Sequence, residues 1–450
     1  MEKMTLKEAA KAVGGICDSD GVFTSVSSDT RLCERDCLYI AIEGERFDGH
    51  DFVTQAYENG AVGAICRKPS EEKGIIYVED TRKAQLALAC YYKSKLDILT
   101  VGLTGSVGKT TTKEMIGCVL SQKYETLKTE GNLNNEIGLP KMIFRLNESY
   151  NAAVLEMGMN NPGEISKLSK CCRPDIGVIT NIGVSHIENL GSQENILKAK
   201  MEILEGMDEK DPLFVNGDDI FLYEQSKKNT NPTVLFGIDN MECDYRAESI
   251  VYGEDFTEFT VSAKGMITKI RLPALGRHNV YNALCAFAVG AYLDIEPHII
   301  AQALEGYVPA GMRQKIVRHK DITVIEDCYN ASPDSIKAAL NALALVSGRK
   351  KIAVLGDMLE LGEYSQQAHY NCGAEAANAA DTLYAYGNFA KNYCMGAQSK
   401  GLQNAKAFDN KDALLKALLS EICGNDVCLF KASRGMKLEE IIEKLYKEYR

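Results

Sequence analysis

Short apolar runs recur along the chain, and the segments between them space their apolar residues at the interval of an amphipathic helix. Near the N-terminus this pattern predicts a helix over Thr5–Val13 and strands over Cys37–Ile42, Gly63–Cys66 and Ile75–Val78, a small mixed α/β unit. Helical spacing over Arg82–Lys95 leads into the apolar run Ile98–Leu103, after which Thr111–Leu120 again reads as helix. Further runs at Ala152–Leu155, Ile176–Thr180 and Pro212–Val215 alternate with helices, as in a mostly parallel sheet with helical crossovers. Over Tyr252–Arg271 the pattern changes to that of antiparallel hairpins, and a helix follows over Asn279–Tyr292.

After Pro309-Ala310-Gly311 the alternation restarts. Strands are predicted over Ile322–Glu326, Lys351–Leu355, Thr382–Tyr386 and Val427–Phe430, separated by helices over Pro333–Val346, Ser365–Ala379, Lys411–Leu419 and Leu438–Tyr449. The fold class is therefore α/β with three domains: a small mixed N-terminal one over 1–81, a central parallel-sheet one over 82–312, and a Rossmann-like one over 313–450. The length of 450 residues agrees, at roughly 150 residues per domain. No internal repeat, low-complexity tract or long linker interrupts this organisation.

Composition narrows the class. Hydrophobic residues make up 45% and charged residues 25%, the balance of a soluble globular protein able to bury its cores without staples. The net charge of −11 argues against a binder of nucleic acid, whose phosphates are held mainly by Lys and Arg. It leaves room for a small phosphate ligand held by backbone amides and a lysine. The 15 cysteines are scattered and form no C-x-x-C pair; Cys33/Cys37 and Cys423/Cys428 come nearest, so reduced thiols in a reducing cytosol are expected. The opening stretch has neither the charged head nor the apolar core of a signal peptide, and no apolar run reaches the roughly 18 residues of a membrane span. A cytoplasmic protein follows, with a monomer as the default.

The apolar run Ile98–Leu103 ends in Thr104-Gly105-Ser106-Val107-Gly108-Lys109-Thr110. Glycines at such a turn let backbone N–H groups approach phosphate oxygens, and the following helix N-terminus adds favourable potential. Lys109 is then placed to meet the outer phosphates of a nucleotide, and the Thr110 hydroxyl to ligate Mg²⁺. Leu103 stands where the common phosphate-loop pattern has its first glycine, with Gly102 one residue earlier. Nucleotide binding is the inference; the loop alone does not choose between a ligase, a kinase, a GTPase and a motor.

Three downstream positions could complete a metal site. Glu156 closes the strand Ala152–Leu155, and His186 follows the strand Ile176–Thr180, both at carboxyl ends of strands where open α/β sheets place ligands. A carboxylate and a neutral imidazole suit a divalent cation that also touches phosphate. Taken singly, Glu156 reads equally as a solvated carboxylate and His186 as a hydrogen-bonded structural residue. Lys200, in Leu197-Lys198-Ala199-Lys200-Met201, reads on helical spacing as a solvated lysine.

Several separate segments, in order, resemble the Mur ligases along essentially the whole chain. They include Ser28-Asp29-Thr30-Arg31, Gly44-Glu45-Arg46-Phe47-Asp48-Gly49-His50, the phosphate loop, and Thr129-Glu130-Gly131-Asn132-Leu133-Asn134-Asn135. Gly276-Arg277-His278-Asn279-Val280-Tyr281-Asn282, Asp327-Cys328-Tyr329-Asn330-Ala331 and Leu355-Gly356-Asp357-Met358 continue the match. The resemblance implies an ATP-dependent ligase that adds D-alanyl-D-alanine to UDP-N-acetylmuramoyl-tripeptide through an acyl phosphate, in peptidoglycan precursor synthesis. It implies that Gly105, Ser106, Val107, Gly108, Lys109, Thr110 and Thr111 hold ATP phosphates, that Asn282 contacts the adenine with Asn279 also in the nucleotide site, and that Arg313 and Asp327 meet phosphate and ribose. Two Mg²⁺ ions are implied, one shared by Thr110 and Glu156 and one held by His186 with Lys200 as a carbamate, which reverses the isolated reading of that lysine. Lys109, His186 and Lys200 are the implied catalytic residues. The substrate residues carried over are Ser28, Asp29 and Arg31 at the uridine end, Arg46, and Asn134 and Asn135 at the muramoyl side. Tyr329, Asn330, Lys431, Ser433 and Arg434 are carried over toward the peptide.

The chain departs from the family at Val107, at Ser332, and in Lys431-Ala432-Ser433-Arg434, where Lys-Gly-Ser-Arg is usual. Another ligase of the family, acting on a shorter muramoyl peptide or on folate, is the nearest alternative, and the Gly-Asn-x-Asn-Asn segment argues against it. A nucleotide-hydrolysing switch protein is the alternative from another class, but the guanine-reading Asn-Lys-x-Asp motif is missing.

Overall fold

The computed structural model describes residues 1–17, 19–44, 47–185, 187–263, 265–309 and 311–449. At the N-terminus, four parallel strands run in the order Ser25–Ser27, Cys37–Ile40, Ala61–Cys66 and Ile75–Tyr77. The helix Leu6–Val13 packs here through Leu6, Ala9 and Ala10; Thr5 caps its start and Gly14, at φ 65°, ends it in the left-handed conformation.

The central sheet has nine strands. From one edge its order is Met266–Leu272, Thr257–Ala263, Tyr245–Tyr252, Thr233–Gly237, Leu213–Asn216, Ile176–Ile179, Leu99–Thr104, Ala152–Glu156 and Thr126–Lys128. Strands from Thr126 to Tyr252 pair in parallel, and the last three form an antiparallel meander. Parallel strands are covered on both faces, which is why they read as unbroken apolar runs. Ala153, Leu155, Ile179 and Val215 join one core. Val154, Val178 and Phe214 join the other, beneath the helices Lys109–Leu120 and Arg277–Tyr292. From Leu99–Thr104 the chain crosses first to the Ala152–Glu156 side and later to the Ile176–Ile179 side. The carboxyl end of Leu99–Thr104 is thus the switch point at which such sheets bind ligands.

The C-terminal sheet has six strands, ordered Lys315–His319, Ile322–Asp327, Val427–Lys431, Lys351–Gly356, Thr382–Tyr386 and Ala405–Phe408. All neighbours are parallel except the edge pair formed by Lys315–His319.

The antiparallel region begins earlier than the hydrophobic pattern suggests, at Tyr245, because most of Tyr245–Tyr252 is half-buried or exposed and carries no clean alternation. The strands Thr233–Gly237 and Lys315–His319 and the helix Ala390–Ser399 were not foreseen, being short or weakly patterned. All fifteen cysteines are free thiols. Among the described residues no helix is long and apolar enough to cross a membrane.

Candidate active site

The turn after Leu99–Thr104 is shaped by two glycines. A Cβ on Gly105 (φ +152°) would lie 1.9 Å from Thr180 Oγ1, and one on Gly108 (φ +83°) would lie 2.7 Å from Asn282 Oδ1. Only glycine lets this turn sit so close to its neighbours. The next strand's end then grips it: Val107 N–H donates to Asn181 Oδ1 (3.0 Å), Thr180 Oγ1 donates to the Val107 carbonyl (2.7 Å), and Gly183 N–H donates to Ser106 Oγ (2.9 Å). Lys109 Nζ folds back over the turn onto the Gly105 carbonyl at 2.7 Å. Burial lowers the Lys109 pKa; Glu156 opposes the shift and the charge of Arg313 adds to it.

Glu156 is 2% exposed, and both its carboxylate oxygens are engaged. Oε2 accepts from Thr110 Oγ1 at 2.7 Å, Oε1 from Asn134 Nδ2 at 2.8 Å, and its backbone N–H donates to Thr129 Oγ1 at 2.9 Å. Lys113, also buried, donates to the Thr129 carbonyl and pairs with Glu114 at 2.7 Å, fixing the segment that carries Asn134.

Lys200 corrects the reading made from helical spacing alone. It is 2% exposed, turned inward with Ile196 and Ala199 where Gln193–Met201 runs into the 3₁₀ turn Glu202–Gly206. Burial holds its ammonium well below the usual lysine value, and the Lys109 charge pushes it the same way. A single helix's spacing cannot report this, because burial is set by tertiary packing rather than by position along the helix.

The far wall comes from the helix Arg277–Tyr292 and the C-terminal unit. Thr112 Oγ1 donates to Asn282 Oδ1 (3.0 Å), Asn282 Nδ2 to Asn279 Oδ1 (3.2 Å), and Asn279 Nδ2 to Gln314 Oε1 (3.0 Å). The Arg313 guanidinium lies over the Tyr329 ring, 3.7 Å from its centroid. Lys431 Nζ donates to Asp327 Oδ2 (2.8 Å) and to the Asn330 carbonyl (3.0 Å).

One cleft of about 490 Å³ is lined by Ser106–Thr111, Asn134, Asn135, Glu156, Asn279, Asn282, Arg313, Asp327, Tyr329, Asn330 and Lys431, whereas Gly105 and Lys200 are not part of its lining. Other expected residues lie elsewhere. Ser28, Asp29 and Arg31 belong to the first unit, where Asp29 accepts from the Arg31 amide and guanidinium (3.0, 2.9 and 2.7 Å) and feels the charge of Lys141. Ser433 is buried, its hydroxyl accepting the Leu359 amide N–H at 2.9 Å, and Arg434 pairs with Glu439 at 3.1 Å. Neither lines the cleft. Arg46 and His186 lie outside the described residues.

Comparison with known proteins agrees with this geometry. Models of the Mur ligase family, catalytic domain, the Mur ligase middle domain, and the Mur ligase, glutamate ligase domain match residues 22–92, 103–290 and 312–434. The chain is 41% identical to the UDP-N-acetylmuramoyl-tripeptide–D-alanyl-D-alanine ligase of Bacillus subtilis, covering 99% of both proteins, and 35% identical, with the same coverage, to that of Escherichia coli. Among solved structures it resembles MurF from Acinetobacter baumannii (TM-score 0.92, 32% identity, 100% of both chains). It also resembles the MurF ligase of Thermotoga maritima in complex with ADP (TM-score 0.85, 30% identity, 94% and 97% of the two chains). The chain belongs to the Mur ligase family.

In this Mur ligase the phosphate loop offers a hydroxyl and a carboxylate side by side, Thr110 and Glu156. Among the described residues no group of three or more His, Cys, Asp and Glu could hold a metal by itself. Hard oxygens in so small a number suit Mg²⁺, which takes one or two protein oxygens and completes its shell with phosphate and water. Sequence reasoning missed Asn181, His278 and Gln314 in the cleft wall. His278 stood inside a quoted motif, but the partner that gives it a role is 36 residues away.

Proposed function

We propose that this Mur ligase uses ATP to join D-alanyl-D-alanine to UDP-N-acetylmuramoyl-tripeptide, forming a carbon–nitrogen bond in peptidoglycan precursor synthesis. The observation that carries the reading is the Thr110–Glu156 pair at a glycine-shaped phosphate loop, facing Arg313, Asp327 and Lys431 across a single cleft. The names of its relatives choose the substrates.

A free carboxylate repels an attacking amine and has no good leaving group, so it must first be activated. Amide N–H groups of Ser106–Thr111 and the helix N-terminus behind them cradle the ATP phosphates. Lys109 then swings from the Gly105 carbonyl to the outer phosphate, where its charge offsets the charge that gathers as the substrate carboxylate attacks in line. The acyl phosphate so formed is attacked by the dipeptide amine, and phosphate leaves. Arg313, held against Tyr329, supplies a second cation from the C-terminal unit. Closure of that unit excludes water, which would otherwise hydrolyse the acyl phosphate.

Thr110 and Glu156 would hold one Mg²⁺, which when bound neutralises phosphate charge. Lys200 is suited to carbamylation, because burial favours the neutral amine that reacts with CO₂, losing one proton and becoming an anionic oxygen donor. His186 would hold the second Mg²⁺ together with Lys200 in this reading. Asn134 and Asn135 face the muramoyl side, and the first unit, through Ser28, Asp29 and Arg31, grips the uridine end.

Phosphate release from ATP is measured with UDP-N-acetylmuramoyl-tripeptide, with and without D-alanyl-D-alanine, and the product is identified by mass. Release that needs both substrates, with a product heavier by the dipeptide less water, is expected. Turnover only with other muramoyl peptides or with folates refutes the substrate assignment. Hydrolysis indifferent to every acceptor refutes the ligase.

A further inference from the structure

Gln314 occupies the link between the central and C-terminal units, next to Arg313, and none of the roles above uses it. Its backbone is left-handed, φ 49°, a conformation that side-chain-bearing residues rarely adopt unless their surroundings impose it. The side chain is what its surroundings hold. Gln314 Oε1 accepts from Asn279 Nδ2 at 3.0 Å and lies 2.7 Å from His278 Nε2. Burial lowers the His278 pKa and so favours the neutral ring. With the amide oxygen already accepting from Asn279, the neutral ring carries its proton on Nε2 and donates to the same oxygen.

Both donors sit in the first turn of the helix Arg277–Tyr292, which continues through Asn282 to Thr112 on the phosphate-loop helix. A chain of side-chain hydrogen bonds therefore runs from the loop that holds phosphate to the link that carries Arg313. Arg313 is near enough to Lys109 for its charge to lower that lysine's pKa. We propose that Gln314 is a positioning residue: its amide oxygen latches the inter-unit link to His278 and Asn279 and so holds Arg313 over the nucleotide phosphates. The inference rests on the ATP-ligase reading above.

The test compares wild type with Gln314→Met, which keeps the length but removes the acceptor, and Gln314→Glu, which keeps an acceptor oxygen. ADP binding is measured by calorimetry, and KM for ATP and for the dipeptide by phosphate release. Two neutral hydrogen bonds of about 1 kcal/mol each correspond to roughly a 10- to 30-fold effect. Gln314→Met is expected to weaken ADP binding and raise the KM for ATP by that factor, leaving the KM for the dipeptide in place. Gln314→Glu is expected to restore most of the loss. ADP binding by Gln314→Met equal to wild type overturns the latch, as does a Gln314→Glu protein no better than Gln314→Met. Wild type that binds no ADP overturns the nucleotide reading and the latch with it, so the two failures are told apart by the wild-type titration.

Discussion

Thr110→Val, alone and combined with Glu156→Gln, probes the pairing at the centre of the site. Thr110 Oγ1 donates to a carboxylate that is 2% exposed, over 2.7 Å. A hydrogen bond to a buried charge contributes about 1.5–3 kcal/mol, and valine keeps the shape of threonine while removing the donor. Losing it lowers kcat/KM for ATP by roughly 10- to 150-fold if the bond sets the Glu156 carboxylate in its working position. Glu156→Gln keeps the shape, since its amide oxygen can accept from Asn134 and its NH2 can donate to the Thr110 hydroxyl, but it removes the carboxylate charge. The two residues act as one unit, and the double variant falls little further than the worse single. Phosphate release by the four proteins, with both acceptor substrates saturating, gives a coupling energy of about 1.5–3 kcal/mol. Losses that multiply, leaving a coupling under about 0.5 kcal/mol, would refute the argument that Thr110 works through Glu156.

Other outcomes follow from the same geometry. Lys200→Met abolishes turnover yet raises the melting temperature in CO₂-free buffer. The folded-state pKa of Lys200 lies below the roughly 10.4 of an unfolded lysine, so between the two values the unfolded chain binds more protons and stability climbs with pH. The methionine variant loses that climb, which thermal melts across alkaline pH read directly. Lys431→Met strands Asp327, its partner at 2.8 Å, with the lysine side chain only 3% exposed; breaking such a pair is destabilising by about 3–5 kcal/mol, visible in urea denaturation. Gly105→Ala drives a methyl to 1.9 Å from Thr180 Oγ1, so calorimetry finds ADP binding lost while the chain still folds.

How much of this was legible in the sequence depended on the range of the interactions concerned. The phosphate loop was readable because its chemistry is local: glycines, a lysine and a helix start lie within a few residues of one another. The strands that bury both faces were readable for the same reason, as apolar runs. Lys200 was misread by helical spacing because its burial is decided by tertiary packing, and the Lys109 charge that bears on it lies far away in sequence. Glu156 was picked out by its place at a strand end, but the two donors that fix it, Thr110 Oγ1 and Asn134 Nδ2, come from 46 and 22 residues away.

The cleft is divided between units, and each half is tied together by its own long-range hydrogen bonds. Thr112 reaches Asn282 across 170 residues, and Lys431 reaches Asp327 across 104. Within the central unit the loop, Glu156 and Asn282 are joined by hydrogen bonds into one half of the cleft, the half proposed to hold the nucleotide. An acyl phosphate must be kept from water yet open to an amine, and a half-site open to solvent cannot do both. In the proposed mechanism, Asp327 and Lys431 on the C-terminal sheet, with Arg313 on the link leading into it, form a second half of the wall that can arrive after the nucleotide. In that mechanism Arg313, the cation proposed to stabilise the transferring phosphate, comes with the wall proposed to exclude water.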